Sequence, residues 1–387
     1  MPGHLLVTPL VDRKGGRLQT EAAVLWESGG KWEVGPVELD SPKNQEVLIR
    51  LVASGLCHSD EHFLTGDMPF LGPMVGGHEG AGVVEEVGPG VTTLKPGDHV
   101  VTSFLPPCGH CPSCITGHQN LCDMGMHIAD GWQVTDKTAR HHARGIDLRL
   151  FCMVGTFARH TIGHERSFIK IDDDLPLDRA CLVACGVSTG WGSAVHRAQV
   201  QPGENVAVIG VGGVGSAAVQ GAHIAGARRI FAIDPVEFKR EQAMRFGATH
   251  TASSIEEAFA LIQELTSGRM CNRVICTMSV GHGEWMGAIM ALTAKRGRVV
   301  VTNVHPWTET DVKMSMLDLL TMEKELVGSI FGSSNPEQDV PRLLGLYRDG
   351  LLNLDDMVTR TYPLHEINDG YQDMREGRNI RGVLLLE

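Results

Sequence analysis

Short valine-rich apolar runs separated by glycine-containing turns fill the first half of the chain. Glu46 to Val52 and Ala81 to Val87 are of this kind, and they predict a β-rich domain. After about residue 186 the pattern changes to apolar runs alternating with longer segments of helical period. Val206 to Ile209, Arg229 to Ile233, Arg273 to Thr277, Arg298 to Thr302 and Leu326 to Ile330 read as buried parallel strands. Val214 to Ala225, Val236 to Phe246, Ile255 to Leu265, Glu284 to Ala294 and Met314 to Met322 read as the helices between them. Such alternation predicts an α/β fold with a doubly wound parallel sheet. Beyond it, Ser333 to Glu337 reads as a linker, Val340 to Tyr347 as a helix, and Gly382 to Leu386 as a strand that rejoins the first domain.

With 387 residues the chain exceeds the size at which one core stops growing, so two domains are expected. Its 34 Lys and Arg against 46 Asp and Glu give a net charge of −12, and no basic stripe is present to meet a nucleic acid. No apolar stretch approaches the roughly 18 residues of a membrane span. The early apolar run Leu5 to Val7 is short and is followed, not preceded, by Arg13, Lys14 and Arg17, unlike a signal peptide. A cytoplasmic protein is expected, and four cysteines crowded between Cys108 and Cys122 then point to metal instead of disulfides.

Gly210-Val211-Gly212-Gly213-Val214-Gly215 fits G-x-G-x-x-G and lies between a strand-like run and a helical segment. In that context the first glycine serves the tight turn, the second lets backbone approach a pyrophosphate, and the third permits close helix packing. Asp234 ends the next strand, where a carboxylate accepts from the adenosine ribose hydroxyls and repels a 2′-phosphate, so NAD is expected. Lys239, one turn further, is placed beside the ribose; a solvated helix lysine is the alternative.

Cys108-x2-Cys111-x2-Cys114-x7-Cys122 offers four thiolates to one ion, the pattern of a closed structural zinc site, with an iron–sulfur cluster as the weaker reading. Cys57, His78 and Cys185 suggest a second, open site, although spacing alone does not separate them from inert core residues. Cys152, Cys181, Cys271 and Cys276 read as small core residues, and Trp132 with the pair His141-His142 as parts of a solvated loop.

The residues around that second site carry a family resemblance. Gly77-His78-Glu79-x2-Gly82-x5-Gly88-x2-Val91 resembles the zinc signature of the medium-chain alcohol dehydrogenases. Gly55-Leu56-Cys57-His58-Ser59-Asp60-Glu61-His62 is similar to their first ligand loop, and Cys185-Gly186-Val187-Ser188-Thr189-Gly190 to their third. The resemblance runs from about Thr20 to Leu386. It implies a Rossmann cofactor domain, residues 187–330, inserted in a GroES-like catalytic domain, residues 1–186 with 331–387, that carries both zinc sites.

It also implies roles. Cys57, His78 and Cys185 resemble the ligands of a catalytic zinc that acts as a Lewis acid on the alcohol oxygen while hydride passes to NAD. Asp60 would orient His78, and Glu79 would lie near the metal and exchange onto it. Ser59 would take the hydroxyl proton and pass it by the nicotinamide ribose to His62, which should reach solvent. His58 and Arg381 correspond to pyrophosphate contacts, and Phe104 and Phe151 to the alcohol pocket, with core aromatics as the other reading.

The expected function is therefore a zinc-dependent, NAD-dependent alcohol dehydrogenase acting on a small alcohol or aldehyde. The family's nicotinoproteins, in which bound NAD is recycled by an external electron acceptor, are the alternative. A catalytically silent zinc- and NAD-binding protein is a third reading, disfavoured because every ligand is present. The resemblance further implies a homodimer or homotetramer joined through the edge strand of the cofactor domain.

Overall fold

The computed structural model describes residues 13–14, 16–306 and 308–386, so the early run at 5–7 lies outside the described residues. Three sheets organise them. In the first, Arg17–Leu25 pairs with both Trp32–Leu39 and Met74–Val75, which curls the sheet back on itself. The second is built on the long strand Glu46–Gly55, which pairs antiparallel with Glu79–Val87, His160–His164 and Arg381–Leu385. The expected return of the last strand is thus present: Val383 lies opposite Gly55, and Leu56 N donates to Gly382 O at 2.9 Å.

The third sheet is parallel throughout. Its order is His250–Ala252, Arg229–Ile233, Asn205–Ile209, Cys271–Cys276, Thr293–Val301, Glu325–Gly328. The first-formed strand therefore lies in the middle and the order reverses beside it, which is the doubly wound arrangement with a ligand crevice at the switch point. Val206, Ala207, Val208, Ile230, Phe231, Ala232, Val274 and Ile275 are all buried, which is why these strands read as unbroken apolar runs.

Four local expectations are corrected. The strand His250–Ala252 went unpredicted because three residues, two of them polar, carry no apolar run. Glu284 to Ala294 is not one helix: it is a 3-10 turn at Gly283–Trp285, the helix Met286–Ala291, and then the strand Thr293–Val301. The segment 333–337 is no free linker, since Ser334 is fully buried, donates to Ser188 O, and precedes the helix Pro336–Arg348. His141 and His142 belong to the strand His141–Ala143, with His141 fully buried and His142 held between Asp40 and Asp147.

One hydrophobic cluster joins the sheets. It includes Ala53, Ala81 and Val101 of the second sheet, Val206 and Val208 of the third, and Val340, Leu343 and Leu344 of the helix Pro336–Arg348. Burying this much apolar surface across both units fixes them against each other. The base of the second sheet is held differently. Arg140, fully buried, gives a two-pronged hydrogen bond to Glu46, with Nε and Nη2 at 2.7 and 2.6 Å from its carboxylate oxygens. Glu46→Ala removes the fully buried partner and leaves Arg140 only the exposed Asp136, 3.0 Å from its Nη2, as a charged partner, so it should cost about 3 kcal/mol. Thermal unfolding reads this as a clear drop in Tm, and an unchanged Tm would show that the pair carries no net stability.

Candidate active site

Cys57 ends the run from Glu46–Gly55 and caps the helix His58–Thr65; His78 precedes Glu79–Val87; Cys185 precedes the helix Gly186–Gly192. Three elements far apart in sequence thereby bring the ligand atoms of Cys57, His78, Glu79 and Cys185 within 4.8 Å of one another. His78 Nδ1 lies 3.2 Å from Asp60 Oδ2, and Asp60 Oδ1 accepts from Gly77 N at 2.7 Å. With Nδ1 turned to the carboxylate, Nε2 is the nitrogen left for a metal. Burial alone would lower the His78 pKa, yet Asp60, Cys185 and Cys57 raise it well above the ordinary value. The cluster is short of positive charge, and a divalent cation among two sulfurs and an imidazole supplies it.

Beside the cluster, Glu79 accepts from Gly186 N at 3.0 Å through Oε1 and pairs with Arg381 through Oε2. Burial pushes its carboxyl up to about 7, opposed by the Arg381 charge. Arg381 is buried instead of standing on a surface strand edge, and its Nε has no hydrogen-bond partner among the described residues. Its Cδ lies 2.2 Å from where a Cβ on Gly213 would stand, so this guanidinium reaches the start of the fingerprint helix Gly213–Ile224.

The fingerprint glycines take distinct positions. Gly210 has φ +86°, a left-handed turn that favours glycine. A Cβ on Gly215 would stand 1.9 Å from Gly210 O, so helix and strand could not pack as they do. At Gly212 nothing lies within 4 Å of the Cβ position: there the backbone lines open space at a helix N-terminus. An orphaned buried donor at Arg381 and this cradle fit a pyrophosphate. Asp234 fits a ribose, for its carboxylate is fixed by Val211 N at 3.0 Å and Val236 N at 2.9 Å. Lys239 lies in the first turn of Glu237–Arg245, and its stem passes 3.7 Å from the Cβ position of Gly377. Loss of water holds the His58 imidazole down to about 4, and the Lys239 charge pushes the same way. A neutral imidazole is a weaker anchor for an anion than a guanidinium.

Ser59 Oγ lies 3.5 Å from Cys57 Sγ, next to the ligand atoms. His62 departs from expectation: with 3% of its side chain exposed it does not reach solvent, and its Nδ1 meets Asp67 Oδ2 at 3.2 Å. The helix packs this side chain inward together with Asp60, Glu61 and Phe63. Phe151 stands edge-on to the His78 ring, with centroids 5.1 Å apart, and to Phe63 at 5.0 Å. Phe104 packs edge-on to Phe331 at 4.8 Å and against the Cys111 and Cys122 lobe. Sequence reasoning missed Phe63, Phe331 and Tyr371, whose hydroxyl donates to Cys57 O at 3.3 Å; Phe331 and Tyr371 lie far from the ligands in sequence, and an aromatic such as Phe63 carries no signal of its own beside the motif. Trp132 lies under Arg149, whose guanidinium carbon is 4.4 Å from the ring centroid, not in a free loop.

The four-cysteine lobe is local. The sulfurs of Cys108, Cys111, Cys114 and Cys122 lie within 4.8 Å of one another. Backbone N–H groups turn inward to them: Cys108 N to Cys122 Sγ at 3.2 Å, Cys111 N to Cys108 Sγ at 3.3 Å. Such donors favour thiolates, and those of Asp123 and Cys114 pull the Cys111 thiol down to about 6. Four sulfurs with inward N–H groups fit a tetrahedral structural zinc. Cys152, Cys181, Cys271 and Cys276 are buried with thiol pKa values pushed up, as inert core residues should be. Cys111→Ser should therefore release metal and lower Tm, because three thiolates no longer close the site. Metal analysis paired with a melting curve checks this, and full metal content at an unchanged Tm would refute it.

Comparison with known proteins gives the family. Residues 43–173 match the alcohol dehydrogenase GroES-like domain, and residues 213–348 match the zinc-binding dehydrogenase family. Alcohol dehydrogenase B of Mycobacterium tuberculosis is 48% identical over 95% of this chain and 98% of its own length. The NDMA-dependent alcohol dehydrogenase of Amycolatopsis methanolica is 47% identical over 95% of this chain and 99% of its own. Among solved structures, benzyl alcohol dehydrogenase from Acinetobacter calcoaceticus superposes with a TM-score of 0.88 at 29% identity, covering 95% of this chain and 99% of that one. Among the described residues no helix is long and apolar enough to cross a membrane. The chain belongs to the zinc-dependent medium-chain alcohol dehydrogenases, with a GroES-like unit joined to a Rossmann unit.

Proposed function

We propose that the protein oxidises a small alcohol, or reduces the matching aldehyde or ketone, with NAD and two zinc ions per chain. The convergence of Cys57, His78 and Cys185 on one point supports this reading more than any other observation. Zinc held by these three residues supplies Lewis-acid polarisation of the alcohol oxygen, and NAD supplies the hydride acceptor. Asp60 holds the His78 tautomer. Ser59 takes the hydroxyl proton and passes it toward His62. Glu79 stands beside the ligands, available to exchange onto the metal. Arg381, His58, Lys239 and the backbone from Gly210 to Gly215, Val214 included, hold the dinucleotide, with Asp234 on its ribose. Phe104 and Phe151 favour an apolar substrate. The second zinc, in the four-cysteine lobe, is structural.

The catalytic unit comprises residues 1–186 with 331–387, and the cofactor unit residues 187–330. A homodimer or homotetramer would bury Met316, Leu317 and Leu320, which stand exposed on the helix leading into the edge strand Glu325–Gly328. The cytoplasm suits a chain whose cysteines serve metal and core. A second reading follows from the NDMA-dependent relative: NAD stays bound as a prosthetic group and an external electron acceptor recycles it.

His78→Ala should abolish alcohol oxidation while leaving the protein folded, and activity within about tenfold of wild type would overturn the zinc mechanism. Metal and acid-released nucleotide analysis of the purified protein separates the two readings. Turnover on added NAD with little bound nucleotide marks the exchanging enzyme. About one retained NAD per chain, with turnover only through an artificial acceptor, marks the nicotinoprotein.

A further inference from the structure

The helix His58–Thr65 ends at Gly66 in the left-handed conformation, φ +83°, and the reversal brings Asp67 back beneath His62. Asp67 Oδ2 is 2.6 Å from Thr65 Oγ1 and 3.2 Å from His62 Nδ1. The Thr65 and His62 hydrogen bonds hold the Asp67 carboxyl below its usual range, so it is ionised. An ionised carboxylate only accepts, so Nδ1 must donate. A neutral imidazole has one ring proton, and Nε2 is then a bare acceptor. Within the structure Nε2 is buried and has no hydrogen-bond partner, an expensive arrangement unless a ligand meets it.

We propose that Asp67 is a positioning residue for the relay: it fixes His62 in the Nδ1–H tautomer and leaves Nε2 as the proton acceptor. This rests on the relay reading of Ser59 and His62. A proton arriving at Nε2 makes the ring a cation, and the Asp67 charge at 3.2 Å offsets it in a place that water does not reach. Asp67 is 28% exposed and so keeps contact with solvent where His62 does not. The other charged groups nearby are Glu61 and His58 on the same helix, with Arg375 on Glu61, and His282 of the cofactor unit, whose Nδ1 is itself held by Glu309 at 3.0 Å. Asp67 is the carboxylate in hydrogen-bond contact with the ring.

Two measurements test the proposal. In protein labelled with 15N-histidine, the His62 signals, identified by their loss in His62→Gln, should show a protonated Nδ1 and a bare Nε2, and Asp67→Asn should shift them. An Nε2–H tautomer in the wild type, or spectra unchanged in Asp67→Asn, would overturn it. In steady-state assays Asp67→Asn should lower kcat about tenfold or more with KM for the alcohol little changed, and Asp67→Glu should recover part of the loss. A large loss in His62→Gln with none in Asp67→Asn would refute the role of Asp67 alone. Full activity in His62→Gln would refute the relay itself, whatever the tautomer. Asp67 follows an exposed turn, so its variants should fold, and melting curves matched to wild type check this for them and for the buried His62→Gln.

Discussion

The buried ion pair between Arg381 and Glu79 is the constraint on which the site depends. Arg381 comes from the last strand, Glu79 from the strand that follows His78, and they meet where neither is reached by water. Room for the guanidinium is made by three glycines from three elements. A Cβ at Gly55, Gly186 or Gly213 would lie 2.9, 2.5 or 2.2 Å from atoms of Arg381. These belong to the strand before Cys57, the helix after Cys185 and the fingerprint helix. One side chain thus sets the distance between metal ligands and dinucleotide cradle, and hydride transfer demands that distance be held closely. A buried charge pair is a poor source of stability, but it is an effective way to specify one arrangement.

The two candidate metal centres embody opposite strategies. Four cysteines within 15 residues can close on an ion with little help from the rest of the fold. The other cluster is assembled from residues up to 128 positions apart, since Cys57 and Cys185 are its extremes, and packing must hold it together. Tyr371 on the Cys57 carbonyl, Phe151 on the His78 ring and Thr102, which accepts from Gly80 N and donates to His78 O, are that support. Closure leaves the first centre inert, whereas three ligands from the scaffold leave the second a free position.

Legibility in the sequence followed range. Parallel strands buried on both faces announce themselves as apolar runs, and the fingerprint, the cysteine lobe and the zinc signature are contiguous motifs, so all of these were readable. His250–Ala252 was not, because its pairing comes from its neighbour Arg229–Ile233 and not from its own residues. His141 was misplaced because a histidine pair looks polar, while the strand pairing with Leu148 drives its ring inward. The burial of His62 was equally hidden: the motif carries an expectation that it reaches solvent, while the helix His58–Thr65 turns it inward. Asp67 lies beyond the quoted motif, and nothing in the sequence shows that the chain reverses at Gly66 to bring it back on the imidazole.

The strand Arg381–Leu385 completes the sheet that positions Cys57 and His78, and Arg381 follows Glu79 by 302 residues. During synthesis the ribosome therefore exposes Cys57, His78 and Cys185 well before their arginine clasp exists, by on the order of 15 to 60 s between Glu79 and Arg381 at ordinary elongation rates. Over that interval residues 53–55 of the strand Glu46–Gly55 lack the partner that the last strand gives them, and the cysteines stand without the arginine clasp. The final strand supplies the missing pairing and the clasp together.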